Sequence, residues 1–502
     1  MSTTSSLSAT LSTLVSQYQS SLQAQRVVPV QKKQASLTSQ LSAYGQLKSV
    51  MSTLNTSAQA MAKTDSSSKF LVYNASSSNT GVLSATATAS AVAGNHSIKV
   101  TQLAKADVVI SSRFTSSSAT IDTAEMTADE KTAGSATRQF TISIGGSQKA
   151  TVNVNLTGDS SDTNSAVLTK IASAINASSD ASKYVSASVV AVTPTQSRLV
   201  ITDLGTGSTN AVSVADVGTG TLMQNIGLGA DVISARSAVS SSTAADDPAT
   251  APGGYLTAGD TAQLDAKFSV DGIDIVRPTN SVSDVLSGVT LQLNGTQLSG
   301  DNAVTLTVGT DKSTVTSNIQ QFLYNYNNVI SYINSQTAID PSSGTKQQFA
   351  LDTSVKGIRS GLREIMLNPV SGLASGSNLL SSIGITAASD GTLSITDSSA
   401  LDAALTSNPK SVSDIFNSTG GIANSITSYL DPYLKTGGQF DVESSSLNSQ
   451  ITSLSKKISD LNDQITKQVN VYKDEFAQLQ TVYTEANSQL SMIAEILGTS
   501  SG

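Results

Sequence analysis

Apolar positions toward the C-terminal end of the chain fall into one sustained pattern. Leu447, Ile451, Leu454, Ile458, Leu461, Ile465, Val469, Tyr472, Phe476, Leu479, Tyr483, Ala486, Leu490, Ile493 and Leu497 are separated by steps that alternate between three and four residues with little interruption. That spacing predicts one long helix carrying a coiled-coil seam of about seven heptads, because a and d positions recur at this period. The charges Lys456, Lys457, Asp460, Asp463, Lys467, Lys473, Asp474 and Glu475 lie mostly off the seam. A matching stripe runs near the other end through Leu37, Leu41, Tyr44, Leu47, Met51, Leu54, Ala58 and Met61, preceded by a shorter one at Leu7, Leu11, Leu14, Tyr18 and Leu22. Pro29 stands between the two N-terminal stripes and is expected to break the helix there, since proline removes a ladder donor and clashes with the preceding turn.

Between about Lys69 and Val308 the period changes to two. Phe140, Ile142 and Ile144 alternate before Gly145-Gly146 and are followed by Val152, Val154 and Leu156. Phe268 and Val270 face Ile273 and Ile275 across Asp271-Gly272, a strong hairpin signal. Val289, Leu291, Leu293 and Val304, Leu306, Val308 repeat the alternation; few helices are expected in this region, one of them Asn164 to Ala177, where Val167, Ile171 and Ile175 share a face. The stretch Ser237 to Gly254, rich in Ser, Ala, Pro and Gly, reads as loop or boundary. After Asp311 the helical period returns in Val315, Ile319, Phe322, Tyr326, Val329 and Ile333, then in Leu351, Val355, Ile358, Leu362 and Ile365. The fold class is therefore α+β and multidomain: N- and C-terminal segments that pair as a coiled coil, a helical subdomain, and β-rich middle domains. A seam this long on a Ser- and Thr-rich helix has weak intrinsic propensity. The outer termini are expected to order fully only against neighbouring subunits, with a purely intramolecular helix pair as the competing expectation.

Composition narrows the function. The 502 residues exceed one ordinary domain. Charged residues make up only 13%, about half the usual fraction, so the surface is neutral and hydroxyl-rich. The net charge of −8 is spread without a basic stripe, which argues against a nucleic-acid partner. Cysteine is absent and His96 is the only histidine, removing disulfides, thiolate nucleophiles and ordinary zinc sites. The first 30 residues show no basic start followed by an apolar run and cleavage site, so a cleaved secretory peptide is not expected, and any export would use a machine independent of one. Nor does any stretch approach the ~20 apolar residues of a membrane span, and membrane insertion is not expected.

Candidate chemistry is sparse. His96, within Ala93-Gly94-Asn95-His96-Ser97, reads as an exposed turn residue before the strand Ile98 to Val100. Gly205-Thr206-Gly207-Ser208-Thr209-Asn210 lacks the third glycine of a dinucleotide loop and reads as a turn. Asp271-Gly272 and Asp390-Gly391 lack the ligand spacing of a calcium loop and read as hairpin turns. No catalytic, cofactor-binding or metal residue is expected, and the protein is read as no enzyme.

Several segments together resemble the flagellar hook-associated protein 2 family, the filament cap proteins. They are Ser42-Ala43-Tyr44-Gly45-Gln46-Leu47-Lys48-Ser49, Val100-Thr101-Gln102-Leu103-Ala104-Lys105-Ala106, Phe268-Ser269-Val270-Asp271-Gly272, Gly288-Val289-Thr290-Leu291, Ile383-Gly384-Ile385-Thr386 with Asp390-Gly391-Thr392-Leu393, and the positions Tyr472, Phe476 and Leu479. About Phe114 to Asp265 matches nothing specific. The family's usual Ser-Gly-Leu-Asp opening is absent around Ser5 to Thr13, and Gln25 stands where a Glu often precedes the proline. With the resemblance, the chain divides into an N-terminal helical leg (1–65), a β-rich domain in two parts (66–113 and 266–310), a variable head (114–265), a helical subdomain (311–440) and a C-terminal leg (441–502). The resemblance implies an extracellular, non-enzymatic cap without cofactors at the distal tip of the flagellar filament, a ring pentamer or hexamer that helps exported flagellin fold and insert. Its implied partners are further copies of itself, flagellin, hook-filament junction proteins, and the flagellar export chaperone and export apparatus. The assembly seam would be Leu37, Leu41, Tyr44, Leu47, Met51 and Leu54 with the C-terminal positions from Leu447 to Leu497. The alternatives are a surface adhesin using the head, or another axial subunit of the flagellum, junction or filament.

Overall fold

In the computed structural model the described residues are 2–121, 136–157 and 162–498, and the side chains of residues 2–9, 11 and 497 are also outside that set. Parts of the expected head, and the side chains of Leu7, Leu11 and Leu497, therefore lie outside the described residues. The chain divides into two compact units, 1–71 with 312–502, and 72–311.

The first unit is almost entirely helical. Ser2–Leu22 and Val28–Met61 are α-helices joined through a π-helical turn at Gln23–Val27, so the expected break at Pro29 does not occur. In the π turn the Val28 N–H bonds to the Gln23 carbonyl, five residues back. Pro29 then sits in the first turn of the following helix, where its missing N–H costs little. Leu47, Met51, Leu54 and Met61 of this helix are fully buried. They pack in a unit whose other helices are Lys312–Thr337, Thr353–Leu367, Ser398–Ser407, Pro409–Asn417, Ile422–Leu434 and Gln439–Gly498. Leu351, expected on a helix, is exposed and precedes one: Asp352 accepts the Val355 N–H as the N-cap. Asp397 and Asn408 cap the next two helices in the same way, each satisfying a donor that the first turn leaves orphaned. A small hairpin, Ile385–Ala387 with Leu393–Ile395, lies against the Lys312–Thr337 helix.

The second unit holds two β cores. In one, a five-stranded antiparallel sheet runs in the order Tyr73–Ser77, Val304–Thr310, Gly94–Gln102, Ala266–Val270, Ile273–Arg277. It shares a core with the three-stranded sheet Ser281–Leu286, Val289–Leu293, Leu83–Ala87, through Leu83, Ile98, Val100, Phe268, Leu291 and Leu306. Alternation put these residues on inward faces as the pleat requires. His96 is a correction: it lies inside the Gly94–Gln102 strand, and its Nδ1 is 2.8 Å from Asp271 Oδ2 of the hairpin turn, whose Oδ1 also accepts the Ser97 N–H. These bonds hold the Asp271 carboxyl below the usual carboxylate range.

The other core interrupts the first between Gln102 and Ala266. The hairpin Ala136–Ile144/Ser147–Leu156 pairs with Val212–Asp216, while Gln196–Asp203 pairs with Val108–Ile110 and Phe114–Thr115 on one side and Val185–Thr193 on the other. The helix Asn164–Ala177, N-capped by Thr163, fills this core with Val167, Leu168, Ile171 and Ile175. Among these apolar layers sits a polar cluster. Arg236 forks onto both carboxylate oxygens of Asp107 at 2.9 and 3.0 Å and stacks 3.9 Å from the Tyr255 ring centre, while Asp107 also accepts the Val212 N–H. Arg236 holds a left-handed backbone to do so. Asp203 is buried nearby, and its Oδ2 has no partner.

Candidate assembly surface

The N-terminal helices and Gln439–Gly498 run antiparallel, as the order of their contacts fixes. Lys48 pairs with Asp441, Gln34 Nε2 donates to Ser455 Oγ at 2.6 Å, Arg26 Nη1 reaches Gln468 Oε1 at 3.4 Å, and the Tyr18 and Tyr472 rings lie 4.8 Å apart. At the inner end Tyr44 is gripped between Phe349 and Phe440, with ring centres 4.6 and 6.0 Å away, and its hydroxyl donates to Asp352. Burial first, and then that bond to a carboxylate, push the Tyr44 phenol well above its ordinary range. One N-cap residue thus starts the Thr353–Leu367 helix and also anchors the terminal pair to the helical body.

The sequence-predicted seam is closed over only part of its length. Leu37, Tyr44, Leu47, Met51 and Leu54 are buried, and Leu41 is half-buried. On the opposing helix Leu447, Ile465 and Val469 are buried, while Ile451, Leu454, Ile458, Leu461, Tyr472 and Phe476 are half-buried. Val15, Leu22 and Val27 complete a core with Ile465 and Val469. Val27 escaped the sequence reading because the π turn adds one residue, so it lies five residues after Leu22 and a strict three-four count steps past it; Val15, before that turn, is buried in place of the expected Leu14, which is 38% exposed. Beyond Phe476 the seam is bare: Leu479 and Leu490 are 63% and 62% exposed, and Tyr483 and Ile493 more than half. Val482, Met492 and Ile496, which lie off the seam, are as exposed as the seam residues, so this end of the helix is apolar around much of its circumference.

Relatives identify what carries such a surface. Two family descriptions match: "Flagellar hook-associated protein 2 N-terminus" over residues 8–107 and "Flagellar hook-associated protein 2 C-terminus" over 263–488. The B-type flagellar hook-associated protein 2 of Pseudomonas aeruginosa is 30% identical over 89% of this chain and 89% of its own length. This chain belongs to the flagellar hook-associated protein 2 family. The family's Escherichia coli K12 member is likewise 30% identical, over 93% of this chain and 92% of its own. The solved flagellar cap protein FliD D1-D2-D3 domains from Escherichia coli superimpose with a TM-score of 0.55 at 26% identity, covering 81% of this chain and 99% of that one. The family is one of structural flagellar proteins. Residues 108–262 fall between the two family matches and contain the second β core of the unit 72–311. Among the described residues no group of three or more metal-ligating side chains could hold an ion, and no helix is long and apolar enough to cross a membrane.

Proposed function

We propose that this chain is a subunit of the flagellar filament cap, and that its bare helix end is the part spent on assembly. The observation that carries the reading is the half-closed seam. A helix pair that stopped where its partner stopped would have no need of Leu479, Tyr483, Leu490 and Ile493, and exposed apolar patches of this extent mark interaction surfaces. Copies of the chain close a ring at the extracellular tip of the filament through heterologous contacts, and flagellin arriving unfolded completes its fold beneath them. The ring would be a pentamer or hexamer. Junction proteins and the export chaperone and apparatus are its other partners. The leg, head and helical divisions at 1–65, 66–113, 114–265, 266–310, 311–440 and 441–502 belong to the same reading. Catalysis has no part in this work; the cap acts by shielding apolar surface and offering one vacant site at a time. Deleting the gene tests it. Cells should lose full-length filaments and shed flagellin into the medium, and filaments of normal length would sink the proposal.

A further inference from the structure

The hairpin that carries Ile385-Thr386 and Asp390-Gly391-Thr392-Leu393 is clamped to the Lys312–Thr337 helix by side-chain amides. Asn327 donates to the Leu393 carbonyl at 2.8 Å and accepts its N–H at 2.7 Å, Asn334 donates to the Asp390 carbonyl at 2.8 Å, and the buried Tyr326 hydroxyl donates to the Gly391 carbonyl at 3.2 Å. The clamped turn walls one side of a cleft of about 450 Å³. The floor is Ile330, Thr337 and Ala338, and Arg359 and Arg363, one helical turn apart on Thr353–Leu367, close the other side.

Neither arginine makes an ion pair among the described residues, in a chain where charge is scarce. Arg359 is pre-oriented, its Nη1 donating to Asn334 Oδ1 at 2.7 Å, which leaves its remaining donors free for a ligand. Arg363 makes no hydrogen bond within the chain among the described residues. Opposite them, Asp390 stays ionised because the Thr392 hydroxyl and N–H both donate to its Oδ1, holding its carboxyl below the usual range. Two guanidiniums against one carboxylate leave a single uncompensated positive charge in the cleft.

We propose that this cleft binds the carboxylate of an acidic side chain on a partner protein. The guanidinium fork is built for planar carboxylates. One net charge matches one carboxylate, whereas Asp390 would repel the dianion of a phosphate more strongly. The Ile330 and Ala338 floor suits an aliphatic stem such as that of a glutamate. The test is calorimetric titration of the full chain with the acetylated, amidated tripeptide Ser-Glu-Leu, its Gln counterpart, and inorganic phosphate. The Glu peptide should bind saturably, at least about tenfold more tightly than the Gln peptide, with affinity falling as salt rises. Arg363→Gln, which breaks no internal bond, should weaken it by a similar factor, and Arg359→Gln should do the same. Equal binding of the two peptides, absence of saturation, or full affinity in Arg363→Gln would overturn the proposal, as would binding of phosphate without the Glu peptide.

Discussion

Asp203 shows how one residue departs from what its type predicts. A carboxylate in an apolar β core, with one oxygen unpartnered, is strained toward its neutral form. Burial raises its pKa to about 6; the Gly205 N–H bond opposes that rise and the neighbouring Asp107 charge adds to it. Because the folded-state pKa lies above the unfolded value, the native state binds more protons than the unfolded one between about pH 4 and 6. Its stabilising contribution is therefore present below pH 4 and lost as pH rises through 6. Asp203→Asn, which keeps the acceptor for Gly205 and never ionises, should stabilise the unit at pH 7 by up to about 3 kcal/mol. Calorimetric melting of wild type and variant at pH 4, 5, 6 and 7 checks this: the gap should open with pH, and a constant gap would refute it. None of this was legible in the sequence, where Asp203 is one of 37 acidic residues; its environment is assembled from residues as distant as Asp107. Tyr44 was legible as important, because it stood in a recognisable motif, yet the grip of Phe349, Phe440 and Asp352 on it came only with the tertiary fold.

At the scale of elements, period carried the reading and phase defeated it. Strands at Phe140, Phe268, Val289 and Val304 and the helix Asn164–Ala177 formed where alternation and three-four spacing placed them. Pro29 was read by its local cost alone, and the π turn at Gln23–Val27 removes that cost by supplying one extra residue. This explanation makes a testable pair of changes. Deleting Ala24 should restore an ordinary ladder and force the Pro29 ring against the carbonyl four residues back, costing about 3 kcal/mol. Adding Pro29→Ala to the deletion should recover most of that loss, because the flanking helices remain in phase. Urea unfolding of the two variants reads the outcome, and equal destabilisation in both would show that the π turn serves something other than the proline. Sequence periodicity could not reveal it, since a one-residue bulge leaves both flanking stripes intact.

For the whole molecule, the decisive feature is where the terminal pair stops closing. The sequence made the seam visible from Leu447 to Leu497 but left its partner open, because a coiled-coil pattern specifies an apolar stripe and not whose stripe meets it. The antiparallel register, which opposes Lys48 to Asp441 and Tyr18 to Tyr472, carries the closed seam as far as Phe476, beyond which Leu479, Tyr483, Leu490 and Ile493 are exposed. Intramolecular pairing accounts for the seam as far as Phe476, and under the proposed function the exposed stretch from Leu479 onward is closed by another chain. Truncation after Gln478 separates the two roles. The shortened chain keeps Leu447, Ile465, Val469 and every contact to Tyr44, so its helical content per residue and its melting should stay close to those of the full chain. Its self-association, followed by light scattering over a concentration series, should fall by at least about tenfold, the loss expected when only one or two buried apolar side chains are removed from an interface. A truncated chain that assembles as well as the full one would move the assembly surface away from the helix end, and one that unfolds would mean that the bare stretch closes on its own subunit.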